Sequence, residues 1–248
     1  MNNKLINYLR MQKSHYLYGT NNHEVHNENK DYWNILLKSF ISNKVSKSAK
    51  ILDYGCGRGR NVINLNALGY KNIYGVDISR SNINYCNKIW KHLKNKFLIT
   101  NGYKIKIKNN SIDYCISTIV FQHICVRTLR NKIFKNIYGC LKNKGIFFFQ
   151  CTYSEVKNYK IVKKNNFIYK ILDKFFKIKF YEHGNFIDYK DDFYDTKKTN
   201  GYSDMVVTNK KFLIRDLKNI GFKKVSIKIT RSYSDVESLK WIWVKCVK

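Results

Sequence analysis

Proline is absent from all 248 residues, alanine occurs only at Ala49 and Ala67, and glycine appears 12 times. Lys, Asn, Ile, Tyr and Phe abound instead, residues with AT-rich codons, so AT-biased coding accounts for the composition. No apolar run approaches the roughly 18 residues that a membrane-spanning helix needs, so no transmembrane segment is expected. The opening MNNKLINYLRMQKSHY lacks the apolar stretch and small-residue cleavage site of a signal peptide. Seven cysteines (56, 86, 115, 125, 140, 151 and 246) contain no CxxC pair, which argues against a zinc site or a disulfide framework. Reduced thiols and a cytoplasmic location are the expectation. The 44% of hydrophobic residues suffices for one full core, hence one catalytic-size domain with appendages.

Acidic residues are scarce. Against 17 Asp and Glu stand 47 basic residues, a net charge of +30 that resembles a nucleic-acid signal. Only 8 of those 47 are arginine, the residue that backbone and base recognition draws on, and the lysines are spread over the chain. Nucleic acid is therefore a possible partner but not the favoured one. The cluster His23, Glu24, His26 and Glu28 lies in a polar loop whose spacing supplies no third or fourth ligand, and no metal is expected.

Residues 1–48 read as an N-terminal helical cap. Within it, Trp33, Leu36, Leu37, Phe40 and Ile41 recur at helical spacing over 31–45. From residue 49 the pattern changes to strand–turn–helix units. Strands are expected at AKILDYG, NIYGVDIS, KFLITNG, SIDYCIST and KGIFFFQCTY, and helices at NVINLNALGY, SNINYCNKIWKHL and RTLRNKIFKNIYGCL. Apolar strands alternating with helices imply a parallel sheet covered on both faces. Residues 154–208 break the rhythm with an aromatic, charged, loop-rich insertion. The pattern returns with a helix capped near Asn209 and closed by Gly221, then the strands KKVSIKIT and LKWIWVKCV as an antiparallel pair at the sheet edge. The expected architecture is α/β: a Rossmann-like, doubly wound, mostly parallel seven-stranded sheet with an antiparallel edge strand.

The stretch ILDYGCGRGR, residues 51–60, places Asp53 at the end of a strand and glycines at 55, 57 and 59 before a helix. Such glycines turn the chain tightly and let a ligand approach the backbone, and the helix start offers free N–H groups. In an open α/β sheet a nucleotide-like ligand lies at this edge. The dinucleotide pattern G-x-G-x-x-G fails in its last position, where Arg60 stands. A carboxylate at Asp53 would also repel a pyrophosphate and suit a ligand carrying a positive amino group.

These residues resemble the first motif of class I S-adenosylmethionine-dependent methyltransferases. Further features follow in the family's order: Asp77 at the end of YGVDIS, Asn101-Gly102 after the third strand, SIDYCISTIVFQHI, LKNKGIFFFQ, and the ending NKKFLIRDLKNIGFKKVSIKIT. The resemblance covers residues 48–151 and 209–248. It implies S-adenosylmethionine as cofactor, with Asp53, Gly55, Cys56, Gly57, Asp77, Ile78, Asn101, Gly102 and Ser117 as binding residues. Asp77 would take the ribose hydroxyls and Asn101 would lie near the adenine. His123 is the best-placed general base, because histidine titrates near neutrality; packing or capping is its plainer role. The insertion after the fifth strand implies a lid, with Tyr181, His183 and Tyr202 as substrate contacts suited to ring stacking.

The acceptor is expected to be a small molecule or a glycan, at a hydroxyl. Ser117-Thr118-Ile119-Val120 stands where amino-methylation of DNA bases places an Asp/Asn-Pro-Pro-aromatic motif. Cytosine C5 methylation needs a nucleophilic cysteine, usually beside proline, and neither Cys115, within a strand, nor Cys125, at a helix start, has that context. Two alternatives stay open: an RNA methyltransferase or RNA-binding module, and a catalytically inactive partner subunit. The intact Asp53, Gly55, Gly57 and Asp77 argue against the second.

Overall fold

A computed structural model describes residues 5–10, 12, 30–93, 96–154, 185–191, 203–231 and 239–248. Residues 5–10 are helical. The chain then runs α1 (Lys30–Ser42), β1 (Ile51–Tyr54), α2 (Arg60–Ala67), β2 (Ile73–Asp77), α3 (Arg80–Ile89), β3 (Phe97–Ile99), β4 (Ile112–Ser117), α4 (Arg127–Cys140) and β5 (Leu141–Tyr153). After the insertion strands β6 (Asn185–Asp188) and β7 (Ser203–Val207) come α5 (Lys210–Ile220), β8 (Lys224–Arg231) and β9 (Lys240–Val247).

The helix limits follow local chemistry. Ser79 caps α3 by accepting the Asn82 N–H at 3.2 Å, and Asn209 caps α5 by accepting the Lys211 N–H at 2.9 Å. Gly69 and Gly221 close α2 and α5 in positive-φ conformations, as expected of glycine past a helix end. In α1, Leu36 and Phe40 are buried one turn apart, whereas Ile41, expected on the same face, is 75% exposed. A stripe of spacing four is enough to bury α1, and Ile41 lies beside that stripe.

Parallel pairing joins β3, β2, β1, β4 and β5 in that order. Successive strand residues point to opposite faces. Leu52, Cys115, Phe147 and Phe149 pack with α4 and α5, while Ile51, Tyr114, Ile116 and Phe148 pack with α1, α2 and α3. The sheet is therefore doubly wound. The N-terminal segment is divided between the two faces: Leu5, Tyr8 and Leu9 join the first cluster, and α1 the second.

Two features differ from expectation. The antiparallel strand, β9, is one position in from the edge: it pairs with β5 from Ile146↔Val247 to Tyr153↔Lys240 and carries β8 outside it. Trp243, stacked on Phe148 at 5.4 Å, makes β9 a core strand rather than an edge strand. The insertion, expected as loop, contributes two parallel strands, so that among the described residues nine strands join one sheet. β7 pairs with β5 at Thr152↔Val206 and Tyr153↔Val207, beyond the point where β4 ends at Ser117↔Phe149. β5 outruns β4 and leaves backbone groups that β7 satisfies.

A buried polar knot fastens this extension. Arg127 grips Asp216 with Nε and Nη2 at 2.9 and 2.7 Å, and Tyr189 Oη donates to Asp216 at 3.1 Å. The Arg130 guanidinium donates to the Tyr189 carbonyl and lies 4.6 Å from the Tyr189 ring centroid. Burial pushes the Asp216 carboxyl up, but the Arg127 hydrogen bonds and charge overcome it and hold the group below the usual range. A carboxyl depressed in the fold stabilises above its unfolded pKa, and that contribution is lost as pH falls through the folded one. Asp216→Ala should cost about 2–3 kcal/mol at neutral pH, the worth of charged hydrogen bonds with their partners left behind. Urea unfolding of both proteins checks this, and the gap should shrink as pH drops below the carboxylate range.

Candidate functional site

The carboxyl ends of β1 and β4 meet where the strand order reverses, the place where an open α/β sheet leaves a crevice. At the end of β1, Gly55, Gly57 and Gly59 have φ of +76°, +54° and +86°. This left-handed region costs any residue with a Cβ. At Gly55 a Cβ would also overlap the Val120 side chain, and at Gly59 it would press on Phe97. At Gly57 it would meet nothing within 4 Å, so this part of the loop faces open space.

The loop is tied to β2. Gly55 and Cys56 both donate to the Val76 carbonyl, at 2.7 and 3.0 Å. The Asp77 carboxylate accepts the Gly57 N–H at 2.9 Å and the Ser79 N–H at 2.7 Å. The Cys56 thiol, buried, points back to the Gly57 carbonyl at 3.7 Å. Ile78 packs against Gly102, whose φ of +99° and contact with Leu9 leave no room for a side chain.

Asp53 is fully buried. Its Oδ1 accepts from Asn61 Nδ2 at 3.3 Å, the same amide that donates to Thr118 Oγ1 at 3.0 Å. Its Oδ2 is buried and accepts no hydrogen bond among the described residues. Burial pushes the carboxyl up to about 7, against the Asn61 hydrogen bond and the Arg60 charge. Burial also raises Asp77, against the backbone hydrogen bonds from Ser79 and Gly57. A buried carboxylate oxygen without a donor is costly unless a cationic or donor group meets it.

The remaining expected residues divide. Ser117 is buried and its hydroxyl donates to the Tyr54 carbonyl at 2.8 Å, a tie between β4 and β1. Asn101 is exposed, and its Oδ1 accepts the N–H groups of Tyr103 and Lys104, so its side chain shapes a turn. His123 sits in a short 3-10 helix (Phe121–His123) after β4, with Nδ1 2.7 Å from Asp204 Oδ1 on β7. Tyr181, His183, Tyr202 and the His23–Glu28 cluster lie outside the described residues. Asn61 and Asp204 carried no motif that would have singled them out: Asn61 is a second helical residue, and Asp204 belongs to the irregular insertion.

Comparison with known proteins agrees with this geometry. Residues 52–149 match the family described as Methyltransferase domain. This segment is similar to the class I S-adenosylmethionine-dependent methyltransferase domains. Over 83 residues, 33% of its length, the chain is 34% identical to a probable S-adenosyl-L-methionine-dependent methyltransferase, TehB, of Haemophilus influenzae. The match spans 28% of that curated relative's length. Solved structures share the fold well beyond the domain segment. A SAM-dependent methyltransferase from Methanosarcina mazei gives a TM-score of 0.57 at 17% identity, covering 84% of this chain and 96% of that one. Phosphoethanolamine N-methyltransferase 2 from Haemonchus contortus, in complex with S-adenosyl-L-methionine, gives 0.58 at 14% identity, covering 97% and 57%. Among the described residues, no helix is long and apolar enough to cross a membrane.

The Asp53 carboxyl sets a pH dependence. A carboxyl raised from 3.8 to about 7 holds its proton in the fold where the unfolded chain has lost it. Its contribution is complete below the unfolded value and lost as pH rises through about 7. The ligand-free protein should therefore lose up to a few kcal/mol relative to Asp53→Asn between pH 4 and 7. Parallel urea unfolding across that range checks the slope.

Proposed function

We propose that this chain transfers a methyl group from S-adenosylmethionine to a small molecule or glycan, at a hydroxyl. The observation that carries the reading is the pair of buried carboxylates flanking an open glycine loop, one of them with an oxygen lacking a donor. A pyrophosphate would be repelled there; a ligand with an ammonium group and a ribose is matched at both ends.

The residues present fit that cofactor. Asp53 Oδ2 offers a buried anion to the amino group of the methionine moiety, and the open backbone at Gly57 allows close approach. Asp77 is oriented by the Gly57 and Ser79 N–H groups, with Asn82 and Ile78 also donating toward it, and the fixed carboxylate is the acceptor proposed for the ribose hydroxyls. Gly102 and Ile78 form an apolar wall beside it, suited to the adenine. Asn101 contributes through the turn it stabilises rather than through its amide. Ser117 acts by holding the ends of β1 and β4 in register.

When bound, S-adenosylmethionine supplies an electrophilic methyl group on a sulfonium that leaves readily. The protein's part is alignment, exclusion of water and removal of the acceptor proton. His123, 16% exposed and beyond the end of β4, is the group for that last task. A hydroxyl acceptor must lose its proton during transfer, which a neutral imidazole accepts. The insertion that follows β5 supplies the acceptor side, with Tyr181, His183 and Tyr202 as the proposed contacts.

Calorimetric titration with S-adenosylmethionine and S-adenosylhomocysteine tests the reading. Micromolar binding is expected, with a loss of tenfold or more in Asp77→Ala, about the 1.4 kcal/mol or more of a charged hydrogen bond. S-adenosylmethionine affinity should rise with pH up to about 7 as Asp53 ionises, and Asp53→Asn should flatten that rise. Absence of binding to either ligand would overturn the proposal.

A further inference from the structure

The turn that carries His123 is fastened from several sides. Phe121 is fully buried among Phe134, Phe147 and Phe149, with centroids 4.7, 5.9 and 5.3 Å away. Tyr8 Oη donates to the His123 carbonyl at 3.1 Å and accepts the Cys125 N–H at 2.9 Å. Arg130 Nη1 donates to the Ile124 carbonyl. Three consecutive residues of the turn thus have backbone groups held by side chains from elsewhere in the chain. The imidazole itself is held by Asp204, a residue 81 positions away on β7.

From this arrangement we infer that Asp204 is the positioning residue for His123, making the pair a general-base dyad assembled by the insertion. The inference rests on the function proposed above. A carboxylate has only acceptor oxygens, so in the neutral ring the hydrogen must sit on Nδ1 and the lone pair on Nε2. In the reaction the acceptor O–H bond breaks, its proton passes to Nε2, and the oxygen takes the methyl group as the carbon–sulfur bond breaks. The imidazolium so formed lies against the Asp204 carboxylate, which offsets its charge. Both side chains keep an open margin, 16% for His123 and 21% for Asp204, so neither is sealed in the core.

The pairing depends on the insertion. Asp204 is placed by the parallel register Phe186↔Asp204 and by the neighbouring pairing of Val206 and Val207 with β5. Met205, Val206 and Val207 are buried, which fixes the strand against the core immediately beside the dyad.

The test combines a spectroscopic readout with kinetics. Side-chain nitrogen NMR, with the His123 signal assigned by its loss in His123→Gln, should show the neutral ring protonated at Nδ1 in the unmodified chain. Asp204→Asn should shift the ring to a mixture of tautomers or to the Nε2–H form. With labelled S-adenosylmethionine and a panel of sugar, nucleotide-sugar and phosphoethanolamine acceptors, Asp204→Asn should lower kcat roughly 10²-fold or more, the usual worth of general-base catalysis. Acceptor KM and S-adenosylhomocysteine affinity should stay within twofold, and His123→Gln should add little to the loss. An Nε2–H tautomer in the unmodified chain would overturn the assignment. So would a fall in kcat no larger than the fall in folded fraction measured by thermal unfolding. If S-adenosylmethionine and S-adenosylhomocysteine do not bind at all, the proposed function fails instead, and the base role with it.

Discussion

The Asp77 carboxylate holds the Gly57 and Ser79 N–H groups at once, and the site is built outward from that clamp. It joins the end of β2 to a loop that leaves β1, and so holds the glycine turn against the neighbouring strand. Two further donors from that loop converge on the Val76 carbonyl. With the loop held, Asp53 has no freedom to turn toward water. Burying two carboxylates in neighbouring strands is unfavourable unless donors compensate. Asp77 is met by backbone N–H groups on both oxygens, while Asp53 is met on one oxygen only. That asymmetry separates a carboxylate oriented by the protein from one left for a partner.

A second level of organisation rests on the first. β5 continues past the end of β4, and its unpaired backbone recruits β7. The Arg127–Asp216–Tyr189 knot then fastens the following chain to α4 and α5. Through this extension Asp204 reaches a histidine in the turn after β4. The residues proposed to hold the cofactor and those proposed to act on the acceptor therefore come from different parts of the chain: the former from local strand–loop–helix units, the latter from the insertion meeting the core.

Much of the first level is legible from residues alone. The glycine spacing, Asp53, Asp77 and the alternating apolar runs are local patterns, and β1 to β5 with their helices lie where those patterns indicate. Asn101 stands where the resemblance puts an adenine contact, and the same Asn-Gly pair is a turn signal: two N–H groups within three residues meet its oxygen. The expected antiparallel pair does lie at the sheet edge, but its order is not written locally. A hairpin reading joins β8 to β9 but does not say which of the two lies against β5; the volume of Trp243 against Phe148 decides that.

The sequence by itself determined the α/β class, the glycine loop and the acidic residues at two strand ends, because each is written within a few consecutive residues. Only the tertiary structure decided that Asn61 turns onto Asp53, that the insertion joins the sheet, and that Asp204 meets His123. Contacts between groups separated by up to 81 positions depend on how the chain between them packs, and no local periodicity encodes that path.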